Sequence, residues 1–413
     1  MDSSRFVIVG AGLAGAKTAE GLRERGCTGQ VVLLGAEAHL PYERPPLSKD
    51  YLAGKADRDS LAVHDQQWYT DHGVELRLGV PATALDRAAR DVVLGDGSRI
   101  GYDHLVLATG SRPRRIDVTG SDADGVLYLR DVEDSDALRA GLEHARRVVF
   151  IGAGWIGLEV AANARERGAE VDVVEMAPLP LLRVLGTELA QMFADLHREH
   201  GVRFHLGASV AGIDVEDGRA SGVTLGDGTR LPADLVVVGV GAQPNTELAR
   251  DAGLDVNGDG GDGGVLVDEH LRSSDPDIYA VGDIAAQAHP TLGRLRVEHW
   301  ATALNQPAAV AATLTGTPTA YDGQPFFFTD QYDLGMEYRG HVPPGVESSV
   351  LIRGDRDTRE LLAFWVSPQG TVLAGMNVNV WDAEDQITAL LTTGPVDLGR
   401  LSDPDVPLEQ ARR

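Results

Sequence analysis

One cysteine, Cys27, stands in a chain of 413 residues. A lone thiol closes no internal disulfide and builds no C-x-x-C motif, so dithiol redox chemistry is excluded and a reducing compartment is expected. No apolar run approaches the roughly 18–20 residues of a membrane span. Residues 1–5 also lack the basic start and apolar stretch of a signal peptide, and the expected localisation is cytoplasmic. Lysine is scarce: Lys17, Lys49 and Lys55 are the three among 37 lysines and arginines. Each therefore invites the question of what an arginine could not do there. A cationic surplus is absent as well, because the net charge of −25 repels polyanions and argues against nucleic acid or an anionic membrane as partner. The length itself predicts two to three domains, each large enough to bury a core.

What is present is glycine in a pattern. The stretch FVIVGAGLAG, residues 6–15, runs apolar β-branched residues into Gly10, Gly12 and Gly15, and helix formers follow over 16–25. Strand, tight turn and helix in that order form a dinucleotide cradle: Gly10 permits the bend, Gly12 admits a pyrophosphate, Gly15 lets helix and strand pack closely. The helix N-terminus then offers free N–H groups and a partial positive charge to the phosphates. The pattern recurs at Gly152, Gly154 and Gly157 after the apolar strand 148–151. Two fingerprints point to two dinucleotides.

In chain order, residues 31–34 read as the second strand of the first unit, with Glu37 as the carboxylate available to a ribose hydroxyl. The proline-stiffened PYERPPLSK, 41–49, sets Arg44 as a pyrophosphate clamp and Lys49 as a cation aimed at the same cofactor. Residues 91–94 and 98–100 read as a hairpin through an Asp-Gly turn. The strand in 102–110 ends in Ala108, Thr109 and Gly110, small enough for backbone to approach a flat ligand. The second half repeats this grammar. Strand 171–174 ends in Glu175, 18 residues past Gly157, where a carboxylate binds an adenosine 2′-OH and rejects a 2′-phosphate. A hairpin is expected over 214–229 with its turn at Gly226-Asp-Gly228, and strand 235–240 ends in Gly241 as the counterpart of the Ala108–Gly110 turn. The run DVNGDG, 255–260, opens like a calcium loop but carries Leu266 where a bidentate Glu is needed, so a polar hairpin is expected and no metal. A short strand ends in Gly282 and Asp283. From about 321 the pattern becomes β-rich, at 326–328, 348–352, 361–366 and 372–380, with one helix at 383–391 and an extended polar tail beyond 395.

These motifs, with LVLATGSRPR, VVFIGAGWIGLEVA, VVGVGAQPN, SSDPDIYAVGDIA, TDQYD and NVNVWDAEDQITALL in the same order, resemble the FAD-dependent pyridine nucleotide-disulfide oxidoreductases. The likeness is to the ferredoxin reductase branch and covers nearly the whole chain, RPPLSK being its most specific run. The resemblance implies an α/β chain with two Rossmann-like domains and a C-terminal α+β domain. Residues 1–113 with 244–320 would bind FAD, 114–243 would bind NAD, and 321–413 would form the interface domain. It implies FAD contacts at Ala14, Arg44, Lys49, Ala82, Arg130, Asp283 and Trp300, and NADH contacts at Gly152, Gly154, Ile156, Gly157, Glu175 and Arg183. It also implies that Lys49 and Glu159 meet at the reactive edge of the flavin. Electrons would pass to an iron–sulfur ferredoxin serving a cytochrome P450 or a ring-hydroxylating dioxygenase. The resemblance leaves room for a homodimer, and for rubredoxin reductase, NADH oxidase or nucleotide-sensing relatives. Two departures stand out: Ala36 replaces a usual carboxylate, and FFFTDQ, 326–331, replaces a Trp-Phe-Trp-Ser-Asp-Gln run. Against the acidic chain, Arg294 and Arg296, with Arg339 and Arg353, are the candidate cationic docking patch for the ferredoxin.

Overall fold

The computed structural model describes residues 4–258 and 263–412. The chain falls into two compact units: Met1–Glu43 with Arg58–Arg112 and Gln243–Phe327, and Arg44–Asp57 with Pro113–Ala242 and Phe328–Arg413. In the first unit, β-branched and leucine-rich runs form five parallel strands in the order Ile278–Ala280, His104–Leu107, Arg5–Val9, Gln30–Leu34 and Val74–Arg77. These runs are apolar throughout rather than alternating because helices cover both faces of a parallel sheet. The helices Leu13–Glu24 and Trp300–Leu314 pack together so closely that a Cβ on Gly21 would stand 3.0 Å from that of Ala311. The expected hairpin is present as Asp91–Leu94 and Arg99–Gly101, joined by a third strand, Ala82–Asp86.

The second unit repeats the plan with parallel strands Arg203–Leu206, Glu170–Glu175, Arg147–Ile151, Leu235–Val238 and Val126–Leu127. Here the expected turn at Gly226-Asp-Gly228 is present, joining Arg219–Leu225 to Arg230–Pro232 as an antiparallel pair, and a second turn precedes it. Strands Val210–Glu216 and Arg219–Leu225 turn at Asp217 and Gly218, both at positive φ, while Gly226-Asp-Gly228 leads into a third strand, Arg230–Pro232. Both sites carry an Asp-Gly pair and both turn the chain, so the three strands form one antiparallel meander.

The C-terminal part of this unit is an antiparallel sheet in the order Phe326–Gln331, Leu334–Gly340, Val372–Val378, Glu360–Val366 and Ser349–Asp355, covered by the helix Glu384–Leu390. The tail is not an extended appendage. Val396, Leu401, Leu408 and Ala411 are buried in the core of this domain. Arg353 clamps the turn that holds them, donating to the carbonyls of Asp403 at 2.6 Å and Val406 at 2.7 Å. In the 255–266 loop, Val256 and Val265 pair antiparallel, and the expected turn at 259–262 lies outside the described residues.

Candidate functional site: two dinucleotide cradles and a buried ion pair

The two glycine motifs begin helices of 12 residues, Leu13–Glu24 and Trp155–Glu166. Gly12 and Gly154 occupy the N-cap positions, and no side chain caps either helix. The helix Val132–His144, by contrast, closes its first turn with Asp131 and Asp134 in a reciprocal capping box. Uncapped N–H groups at the carboxyl end of a parallel strand are an anion cradle.

The glycines divide by cause. A Cβ on Gly15 would stand 1.9 Å from the Gly10 carbonyl oxygen, so the fold itself forbids a side chain there. A Cβ on Gly12 would meet nothing within 4 Å, and its φ of −90° suits any residue. Gly157 and Gly154 repeat the contrast, at 2.9 Å from the Gly152 oxygen and 3.9 Å from the Gly239 oxygen. Protein packing therefore does not demand glycine at 12 or 154, and the missing side chains fit a pyrophosphate lying against backbone. Gly12→Ala is accordingly expected to fold normally and to weaken FAD binding by about tenfold to a hundredfold, the effect of overpacking by about 1–3 kcal/mol. Gly15→Ala should lower the melting temperature of the apoprotein itself. Flavin content after dialysis, read beside apoprotein melting, separates the two; flavin retained at wild-type affinity in Gly12→Ala would contradict the cradle.

Hydrogen bonds within the first unit hold the turns that carry several of the other predicted contacts. The Asp283 carboxylate accepts a hydrogen bond from the Ser111 hydroxyl at 2.5 Å, and a Cβ on Gly282 would lie 3.3 Å from that of Ala14. Gln306 fixes this turn by accepting from the Gly282 N–H at 2.8 Å. Thr109 donates to the Asn245 carbonyl at 2.7 Å, holding the turn that contains Gly110. Trp300, at the start of its helix, donates from its indole to Glu43 at 3.2 Å. Ala82 opens its strand at the edge of the core. Glu37 lies in the bend after the second strand and accepts from the Tyr42 hydroxyl at 2.5 Å, while Ala36 is exposed beside it.

In the second unit, Glu175 ends its strand, and its two carboxylate oxygens accept from the Ala153 and Ala177 N–H groups at 2.8 Å each. Ile156 and Met176 stand 51% and 77% exposed at this same end of the sheet. Large exposed apolar side chains at a carboxyl sheet edge mark a binding surface, and Met176 is one that motif spacing does not reveal. Arg183 is exposed on the short helix Leu182–Leu185, and Gly241, at φ +111°, accepts from the Arg114 N–H through its carbonyl.

The RPPLSK segment packs with this second unit. Arg44 donates to the Arg130 carbonyl at 2.5 Å, Ser135 to the Leu47 carbonyl at 2.8 Å, and Tyr51 to Asp136 at 2.6 Å. Arg44 and Arg130, two predicted FAD contacts, are thereby brought together. The segment delivers Lys49 onto Glu159, and the two form an ion pair with side chains 15% and 5% exposed. Glu159 also accepts from the Ser48 hydroxyl at 2.5 Å and the Thr329 hydroxyl at 2.6 Å. The Lys49 ammonium lies 5.4 Å from the centre of the Phe328 ring. Neither hydroxyl is signalled by spacing, since Thr329 is 170 residues from Glu159 in sequence.

Behind this pair is a fully buried histidine, His197, which burial pushes down to about 4. A group that holds its proton less well when folded leaves the unfolded chain binding more protons between about pH 6.5 and 4. Stability therefore rises with pH through that window and is lost as pH falls. At pH 5 the loss relative to pH 7.5 is roughly 2 kcal/mol. Urea titrations at both pH values should show it in wild type and show it diminished in His197→Asn. An equal pH effect in both would assign the dependence elsewhere, for instance to His289, which burial also lowers.

Each of the four arginines of the candidate docking patch has a hydrogen-bond or ion-pair partner. Arg294 donates to the Ala286 carbonyl at 2.7 Å, Arg296 to the Asp283 carbonyl at 3.0 Å and to Glu298, Arg339 pairs with Glu384, and Arg353 is the tail clamp. Their guanidinium groups serve the fold first. Among the described residues no cluster could hold a metal ion, and no helix is long and apolar enough to cross a membrane.

Comparison with known proteins agrees with this arrangement. The family model for pyridine nucleotide-disulphide oxidoreductases matches residues 4–306, and the reductase C-terminal model matches 326–412. The chain is 41% identical to rhodocoxin reductase of Rhodococcus erythropolis, over 98% of this chain and 94% of that one. It is 40% identical to the ferredoxin–NAD(+) reductase component of the anthranilate 1,2-dioxygenase system of Burkholderia cepacia, over 99% of each. The covalent putidaredoxin reductase–putidaredoxin complex contains a chain that superposes with a TM-score of 0.94 at 37% identity, covering 100% of this chain and 98% of that one. With two cradles in tandem, a single cysteine and matches of this extent, the chain belongs to the pyridine nucleotide-disulphide oxidoreductase family.

Proposed function

We propose that the protein is an FAD-dependent ferredoxin–NAD(+) reductase, taking hydride from NADH and delivering single electrons to an iron–sulfur ferredoxin that feeds an oxygenase. The observation that carries this reading is the uncapped, glycine-started helix repeated on two parallel sheets, at Gly12 and at Gly154, one for each dinucleotide. Bound FAD supplies the conversion of a two-electron hydride into one-electron steps.

The rest is the work of side chains and backbone. The N–H groups at the start of Leu13–Glu24 hold the FAD pyrophosphate, assisted by Asp283 and, through the resemblance, by Arg44 and Arg130. The start of Trp155–Glu166 holds the NADH pyrophosphate, and Glu175 takes the adenosine ribose hydroxyls. Lys49, oriented by Glu159, presents fixed positive charge where negative charge gathers on the cofactor during reduction. With Cys27 as the one thiol, no dithiol can relay electrons, so the acceptor must be met directly.

NADH oxidation coupled to cytochrome c reduction, with and without an added ferredoxin, tests the reading. A large rise on adding ferredoxin is expected. Equal turnover with and without it, with oxygen consumed instead, would make the protein an NADH oxidase. A rise with rubredoxin alone would make it a rubredoxin reductase, and tight nucleotide binding with negligible turnover would favour a sensing role.

A further inference from the structure

Glu159 is the end point of a hydrogen-bond chain that runs well beyond its ion pair with Lys49. Thr329 donates to Glu159 at 2.6 Å, and the Gln331 amide donates to the Thr329 oxygen at 3.1 Å. The other end of that amide, its carbonyl oxygen, lies 2.8 Å from His197 Nε2. Thr329, Gln331 and His197 are at most 1% exposed, and Glu159 is 6% exposed, so water does not interrupt the chain.

The chain has a direction. A threonine hydroxyl carries one hydrogen, and because its oxygen already accepts from Gln331, that hydrogen is given to Glu159. The amide in turn accepts through its oxygen, which requires the hydrogen of a neutral His197 to sit on Nε2. The reverse arrangement is equally complete on paper: the His197 hydrogen on Nδ1, the amide turned over, the threonine donating away from Glu159. An anionic carboxylate has only acceptors to offer and selects the first arrangement. The Tyr332 hydroxyl, 3.4 Å from His197 Nδ1, is placed to face the unprotonated nitrogen.

We infer that Thr329, Gln331 and His197 are positioning residues that act through Glu159, a one-directional chain that holds its carboxylate aimed at Lys49 during flavin reduction. This rests on the reading of Lys49 and Glu159 given under Proposed function. The chain makes no contact with substrate in this account; it removes the freedom of Glu159 to rotate away from the ammonium, and thereby the freedom of the ammonium.

Two measurements decide it. The first is independent of turnover. The ¹⁵N shifts of the His197 ring, assigned by comparison with His197→Asn, should report the neutral Nε2–H tautomer at pH 7; the Nδ1–H tautomer would overturn the proposed direction. The second is stopped-flow reduction by NADH. Thr329→Val and Gln331→Leu should each lower the limiting rate about tenfold, in line with loss of a hydrogen bond to a charged group. NADH affinity should stay at the wild-type value, and Thr329→Ser should restore the rate. In a Glu159→Gln background the same substitutions should have no further effect, because their target is gone. If Glu159→Gln is slow but Thr329→Val is not, or if the two effects multiply, the chain is structural only and the reading of Lys49 and Glu159 stands. If Glu159→Gln itself reduces at the wild-type rate, that reading fails and the inference with it. Should Thr329→Val not fold, Thr329→Ala and Gln331→Met carry the same comparison.

Discussion

Lys49→Met and Glu159→Gln are each expected to slow reduction of the bound flavin by NADH by about a hundredfold or more, the effect of deleting one preorganised charge-stabilising group from a water-poor site. Both side chains are largely buried, and each is the charged partner of the other. Removing one leaves the other stranded, which should also destabilise the second unit by about 3–5 kcal/mol. The two losses have different remedies. In the double variant Lys49→Met/Glu159→Gln neither charge is stranded, so melting temperature should recover much of its loss. The rate should not recover, because the ammonium is still missing. Stopped-flow traces and thermal melts of the three variants therefore separate catalysis from structure. Recovery of both together, or wild-type reduction in either single variant, would leave the ion pair a structural feature. Among 37 basic residues the presence of a lysine here is intelligible: a compact ammonium reaches Glu159 beside the Phe328 ring, where a planar guanidinium would demand a wider, forked acceptor set.

That pair was legible in sequence only through the resemblance, since Lys49 and Glu159 are 110 residues apart and share no periodic pattern. What local chemistry dictates was plain: the β-branched runs before Gly10 and Gly152, the uncapped helices after them, and Glu175 at its strand end. These depend on neighbours within about 20 residues. What failed depends on distant partners. The tail beyond residue 395 reads as polar because, among its described residues, only Val396, Leu401, Leu408 and Ala411 are buried, at irregular spacing, and the clamp that holds them is Arg353, some 50 residues earlier. The partners of Arg296 and Arg339 were equally out of view, because sequence shows neither Glu298 folding back nor Glu384 arriving from a helix. Thr329 and Gln331 lie in a run already flagged for its lost indoles, yet their meaning comes from Glu159 and His197, which only the fold brings to them. At short range the local rule holds: Gly226-Asp-Gly228 turns as its residues suggest, and Asp217-Gly218 obeys the same rule one strand earlier.

The second large effect concerns the choice of nucleotide. Catalytic efficiency with NADH should exceed that with NADPH by two orders of magnitude or more, because Glu175 cannot step aside for a 2′-phosphate. Its oxygens are each held at 2.8 Å by a backbone N–H, from Ala153 on the glycine turn and from Ala177 just past the strand. A carboxylate pinned by two main-chain donors stays where it is when a second anion approaches, and like charges so placed repel by several kcal/mol. Arg183 is the counterweight. It is exposed on the short helix Leu182–Leu185, and a guanidinium within reach of the ribose would answer a phosphate. Screening separates the two contributions: a solvated arginine loses its pull as salt rises, and a half-buried carboxylate loses less. Glu175→Ala should therefore lower kcat/KM for NADH at least tenfold while raising it for NADPH, and Glu175→Ala/Arg183→Ala should lose the NADPH gain at low salt. The Ala153 and Ala177 amides left without their acceptor would be open to a phosphate oxygen in the single variant, which adds to the gain. Steady-state kinetics with both nucleotides at 50 mM and 500 mM salt, about 14 Å and 4 Å of Debye length, read all of this in one design. Wild-type protein that uses NADPH as well as NADH would show that Glu175 does not set the choice, and a Glu175→Ala variant with unaltered preference would move the determinant away from this strand end altogether.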